Sequence, residues 1–249
     1  MSGHSKWSTI KRQKGAADAK RGALFTKLSR EIQVAARAGG GDPEMNAALR
    51  LAVAKAKDNN MPADNIERAI KKGTGELEGA ELQEMRYEVY GPGGAAILID
   101  TLTDNKNRTV SEVRNILTRA GGNMAEAGAV AWVFEPRGVI NIAVDGATAD
   151  DLALFAIDAG AQDVEIDNDT VDVYTDPQSF ESVRKALEAA GYSVSSGEVT
   201  MSPKTTVSLD EQTATKALRL LEQLEDHDDV QRVYSNADFP DSVLAAYAG

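Results

Sequence analysis

Between residues 20 and 37 the apolar side chains recur one helical turn apart, at Leu24, Leu28, Ile32 and Ala35. Phe25 and Ala36 widen that face. At 100° per residue Lys20, Lys27, Arg30 and Arg37 fall on a separate stripe, so the pattern predicts an amphipathic helix with one cationic side. The run "GGGDP" (39–43) interrupts it, with Asp42 placed as an N-cap and Pro43 as the first residue of a second helix. Met45, Leu49, Val53 and Ala56 supply that helix's apolar face. A third helix is expected from about Pro62, through Ile66, Ala69 and Ile70, to a stop at Gly73.

After a glycine-bearing stretch, "GTGELEGAEL" (73–82), the period changes from helical to strand-like. "MRYEVY" and "AAILID" read as strands joined by the turn "GPGG" (91–94). A helix is expected over 109–120, ending at Gly121–Gly122, and "VAWVF" (130–134) reads as the next strand. From residue 138 the order becomes strand, helix, hairpin around Asn168–Asp169, helix, strand. That is the βαββαβ arrangement of a ferredoxin-like fold. A helix over 209–226 and a strand at 230–235 complete the ββαβ unit that precedes it. The expected fold class is α+β: an N-terminal helical bundle and two ferredoxin-like α/β sandwich domains, the third domain inserted into the second. The expected divisions are 1–77, 78–136 with 206–249, and 137–205.

Charge changes the picture most. The chain of 249 residues has a net charge of −12, yet residues 1–72 hold 15 Lys and Arg against 7 Asp and Glu. Residues 138–249 hold 6 against 22. A local field of one sign steers a partner more than the total does, so the basic end is expected to meet a polyanion. There are no cysteines, which removes disulfides, thiolate metal sites and cysteine nucleophiles. No stretch reaches the length of a membrane span or resembles a signal peptide, so a cytoplasmic protein without membrane contact is expected.

Catalytic chemistry has little support. His4 and His227 lie far apart, and neither G-x-S-x-G nor H-E-x-x-H occurs. The acidic runs "IDNDTVD" (166–172) and "LEDHDD" (224–229) lack the ligand order of a calcium loop and read as solvated turns. No enzyme, cofactor or metal site is therefore expected. The mixed-charge loop Asp104, Asn105, Lys106, Asn107 and Arg108 reads first as a turn with a helix cap, and second as a binding loop beside a cleft. Within the basic arm Trp7 lies among Lys6, Lys11, Arg12 and Lys14. An aromatic ring interleaved with cations suits base stacking with phosphate pairing. The candidate nucleic-acid contacts are these five with Lys20, Arg21, Lys27, Arg30 and Arg37.

The opening "GHSKW" with "AKRGALFTKLSREI", and later "NIERAIKKG", "YEVYGPGGAAILI", "TDNKNRT", "GGNMAEAGAVAWVF" and "DDVQRVYSNADF", resemble the YebC/PmpR family along essentially the whole chain. One departure is Ala129, where that pattern leads one to expect Ser. The resemblance implies three domains around a cleft and a transcriptional regulator binding DNA. Its translational relatives imply an alternative, a ribosome-associated translation factor binding ribosomal RNA. Neither implication fixes an oligomeric state or a target sequence.

Overall fold

The structure, a computed structural model, describes residues 18–79, 81–144, 148–167 and 170–248. Three helices open it: α1 (Asp18–Gly39), α2 (Ala47–Asp58) and α3 (Ala63–Thr74). Leu28, Ile32 and Ala36 of α1 pack with Leu49, Val53, Ala56, Ile66 and Ala69 in one closed cluster, as their helical spacing requires. Two details differ from the sequence expectation. Asn46, not Asp42, caps α2 by accepting from the Leu49 N–H, while Asp42 caps only a preceding turn; Met45 is left 85% exposed. Gly73 lies inside α3 rather than at its end, because α1 crosses it there. A Cβ at Gly73 would stand 2.5 Å from the Gln33 carbonyl oxygen, and the helix terminates two residues on at Gly75 in the left-handed region.

The first sheet takes its strands from both sides of the expected insertion. Its order is β3 (Asn123–Met124), β1 (Gln83–Tyr90), β2 (Ala96–Thr103), β9 (Val230–Ser235), all neighbours antiparallel. Alternation sends Tyr87, Val89, Ile97, Ile99 and Val233 to one face. There they pack on α4 (Lys106–Ala120) and α7 (Glu211–Glu225) through Val113, Leu117, Ala217, Leu218 and Leu221. A terminal helix, α8 (Asp241–Ala248), adds Leu244, and a short parallel bridge joins β8 (Val207–Ser208) to β10 (Ala237–Asp238).

The opposite face of this sheet begins as an apolar patch, Ala96, Leu98 and Tyr234. Val130, Val133 and Phe134 cover it. Those residues are not the strand that their apolar run suggests. Residues Ala131–Val133 form a single 3-10 turn, and strand β4 (Phe134–Ala143) starts only afterwards. A run buried on one side of a turn needs no period of two.

The second sheet has the order β5 (Asp163–Asp167), β6 (Thr170–Thr175), β4, β7 (Val194–Pro203), all antiparallel. This is the ferredoxin-like order expected for β4–α5–β5–β6–α6–β7, with α5 (Ala149–Asp158) and α6 (Phe180–Ala189) on one face. Ile140, Ile142, Leu152, Val171, Val173, Val183 and Leu187 form its core. The first sheet is the same kind of sandwich with a different chain order, ββαβ then αβ. Strand β4 runs unbroken from the first core, at Phe134, into the second, at Ile140, and its ladder with β7 starts at Phe134 opposite Pro203. The expected boundary at residue 137 therefore falls inside a paired strand.

Candidate nucleic-acid interface

Of the ten candidate contacts, Lys6, Trp7, Lys11, Arg12 and Lys14 lie outside the described residues. Lys20 and Arg21 lie in the first turn of α1, and Arg21 is exposed. Arg37 is exposed at the far end of α1, paired with Glu81 at 2.9 Å. Lys27 and Arg30, one turn apart on the predicted cationic stripe, point not to open solvent but onto the first sandwich.

Their partners lie at the end of α7, in the residues after it and at the end of β2. Lys27 Nζ donates to the Glu225 carbonyl. Burial, only partly offset by Asp226 and Asp228, lowers its pKa to about 8. Arg30 donates through Nη1 to the Leu102 carbonyl at 3.1 Å, the Asp228 carbonyl at 2.5 Å and Asp229 Oδ1 at 2.8 Å.

Asp229 is the centre of this contact. Its side chain is only 2% exposed, against 16% for Arg30. Oδ2 accepts from Arg108 Nη2 at 2.8 Å, Thr109 Oγ1 at 2.6 Å and Thr103 Oγ1 at 3.2 Å. Burial by itself would raise the carboxyl's pKa. Hydrogen bonds from Arg108 and Thr109 and the charge of Arg30 outweigh that and hold it at about 2. The Asp229 N–H donates to His227 Nδ1 at 3.1 Å, which leaves the neutral ring's proton on Nε2, 2.8 Å from Glu112 Oε2. Glu112, His227 and Asp229 are close enough to share a cation, their ligand atoms lying within 4.8 Å. Two guanidiniums on Asp229 already neutralise it and oppose a third positive charge.

The mixed-charge loop feeds the same junction. Asn105 caps α4 by accepting from the Arg108 N–H, and Asp104 pairs with Arg108 at 2.8 Å, so Arg108 bridges Asp104 and Asp229. Lys106 and Asn107 are exposed in the first turn. Asp229 was missed from sequence because its partners are remote: Arg30 is 199 positions away and Arg108 is 121. No local spacing separates this aspartate from its solvated neighbours.

Between α1 and the open face of the first sheet lies a cleft of about 500 Å³. Its floor carries a row set by strand register, Arg86 opposite Asp100 opposite Arg232. Arg86 binds both oxygens of Asp100, at 2.6 and 3.0 Å. Glu31, which overhangs from α1, is bound by Lys55 at 2.8 Å.

At the other end of the same face the loop before β4 is held by Glu88. Its carboxylate accepts from the N–H groups of Gly128, Val130 and Ala131, at 2.6, 2.7 and 2.8 Å. Burial raises its pKa, and these three donors outweigh it and depress the carboxyl below its ordinary range. Trp132 Nε1 and Tyr90 Oη both donate to the Ala129 carbonyl, at 3.0 and 3.4 Å. Residue 129 therefore works through its backbone, which Ala and Ser share.

A helical bundle clasped to the first of two four-stranded sandwiches, with cations of its first helix at the clasp, places the chain among mixed α+β proteins of three parts. The TACO1/YebC N-terminal domain model matches residues 5–76, and the model of the TACO1/YebC second and third domain matches residues 82–237. The chain belongs to the TACO1/YebC family. Among its relatives, a probable transcriptional regulatory protein of Dehalococcoides mccartyi is 59% identical over 99% of this chain and 98% of its own length. One of Moorella thermoacetica is 56% identical, over 98% of each. A solved structure, a conserved hypothetical protein from Aquifex aeolicus, superposes with a TM-score of 0.78 at 46% identity, covering 90% of this chain and 93% of that one. The family is thus one of proteins named as regulators rather than enzymes. Among the described residues no helix is long and apolar enough to cross a membrane.

Proposed function

We propose that this protein is a nucleic-acid-binding transcriptional regulator that grips DNA through its basic N-terminal end. The observation that carries the reading is the charge reversal along the chain: eight more cations than anions in residues 1–72, within a protein of net charge −12. An acidic body is repelled by a phosphate backbone, so favourable contact is concentrated on the arm and the start of α1. Lys6, Lys11, Arg12, Lys14 and Lys20 would neutralise phosphates, with Trp7 stacking among them. Lys27 and Arg30 contribute by another route, fixing the basic helix to the first sandwich. In this reading residues 1–77, 78–136 with 206–249, and 137–205 act as three domains, and none of them is catalytic.

Salt titration of binding tests it. If about five phosphates are neutralised, the log–log slope on duplex DNA is roughly −4 to −5. Replacing Lys11, Arg12 and Lys14 together with Ala flattens it by about 2 to 3 and weakens all sequences alike, because phosphate contacts carry no base information. An unchanged slope would refute the arm's role. Crosslinking in cells, followed by sequencing of the attached nucleic acid, separates promoter DNA from ribosomal RNA, the target a translation factor would give.

A further inference from the structure

Tyr90 and Trp132 form the most exposed fixed aromatic pair of the first sandwich. Trp132 is 67% exposed and Tyr90 38%. Large aromatic rings seldom stay in water without a partner, and an indole whose polar edge is already bonded offers its face. Neither ring is loose. Both donate to the Ala129 carbonyl, the loop is pinned by three N–H bonds to Glu88, and Tyr90 is paired with Ala96 in the β1–β2 ladder. The rings' polar edges thus converge on a single oxygen while both residues remain exposed. Lys204 supplies a cation beside them, with Nζ on the Trp132 carbonyl at 3.0 Å and its backbone N–H on the Val133 carbonyl.

We infer that Tyr90 and Trp132 are a stacking platform for an unpaired base of the nucleic acid that the basic N-terminal end holds. This rests on the regulator reading above and adds the class of ligand, a strand with at least one base out of its pair. The geometry favours a base over an apolar protein segment for two reasons. The pair is small and flanked by a cation rather than set in an apolar groove. It also shares the open sheet face with α1. Arg30 meets the Leu102 carbonyl, and Tyr90 lies opposite Ala96, six residues back along the same strand. At about 3.3 Å per residue that is roughly 20 Å, about six phosphates of a stacked strand at about 3.4 Å each. The clasp that fixes the basic helix and the platform therefore lie within the span of a short single strand. A base inside a duplex has no free face to offer it.

The test measures affinity of the full chain for a twelve-residue oligouridine, a twelve-residue oligothymidine and a twelve-base-pair DNA duplex. Trp132→Ala weakens both single strands about 5- to 150-fold, the range for losing one stacked base, and leaves the duplex within about twofold. Trp132→Phe restores most of the loss, and Tyr90→Ala loses affinity in the same direction. Both rings are exposed, so unchanged thermal melts establish that the variants fold. In a Trp7→Phe background Trp132 is the sole tryptophan, and the oligouridine quenches its emission. Equal loss on the duplex, or no loss on either single strand, overturns the platform. Unchanged affinity together with loss of a co-purifying protein overturns it too, assigning the pair to a protein partner. Failure of the wild type to bind any of the three probes refutes the regulator reading and this inference together. Intact binding that ignores Trp132 refutes this inference alone. The ratio of oligouridine to oligothymidine affinity distinguishes RNA from opened DNA as the source of the base.

Discussion

Replacing Asp229 with Asn removes the charge at the centre of the clasp while keeping its shape. In the wild type that carboxylate is buried and satisfied by two guanidiniums and two hydroxyls. Its pKa is held at about 2, against an ordinary 3.8. At about 1.36 kcal/mol per pH unit, the depression corresponds to about 2 kcal/mol of stability at neutral pH. Asn can accept from Arg108 and the two threonines through its oxygen, but its amide hydrogens then face Arg30 as donors against a donor. The expected cost is therefore about 2–4 kcal/mol, between a lost charge-assisted bond and a broken buried pair.

The pH dependence distinguishes this mechanism from simple misfit. A carboxylate with a depressed folded pKa stabilises fully above its unfolded value near 3.9 and loses that contribution as pH falls towards 2. The wild-type advantage over Asp229→Asn should then be complete at pH 7, begin to fall below about pH 5, and shrink further by pH 3. Urea unfolding of both proteins at pH 7, 5, 4 and 3 measures it. A gap that stays constant across that range would refute the electrostatic account, and no gap at pH 7 would remove Asp229 from the stability argument altogether.

Three further outcomes follow from the same structure. Gly73→Ala should destabilise the bundle by about 1–2 kcal/mol in thermal unfolding, since the clash with Gln33 and Ala36 outweighs the roughly 1 kcal/mol that Ala gains over Gly in a helix. The Lys27 Cε resonance should titrate with a midpoint near pH 8, and a midpoint near 10.5 would show that its ammonium is not buried. Glu88→Ala should free the loop at residues 126–131, costing about 1–3 kcal/mol and giving Trp132 a broader, red-shifted emission.

Which parts of this were legible depended on whether the cause was local. Leu28, Ile32 and Ala36 announce the buried face of α1 by spacing alone, and the βαββαβ order of residues 138–201 follows from alternation and turns. Asp42–Pro43 carries a stronger cap signature than Asn46, yet Asn46 caps α2. Its amide also reaches back to the Ala35 and Gly40 carbonyls and ties α2 to the end of α1, which no propensity encodes. The run "VAWVF" reads as a strand because Val130, Val133 and Phe134 are apolar; they are apolar to cover a sheet face that comes from other parts of the chain. Trp132 sits in that run, and its exposure is visible only once its neighbours' burial is known.

The basic stripe of α1 poses the same difficulty in electrostatic form. A helical wheel treats Lys27, Arg30 and Arg37 as equivalent, but the fold divides them. The acidic segment after α7 lies against the middle of the helix, where its carbonyls and Asp229 accept from Lys27 and Arg30. Much of the repulsion this segment would present to a phosphate backbone is thereby cancelled inside the protein. Asp226 and Asp228 are exposed even with the clasp intact, so what it covers is Asp229, which Arg30 and Arg108 share. On the regulator reading, Lys27 and Arg30 therefore act by fixing the basic helix to the first sandwich, not by meeting phosphates themselves.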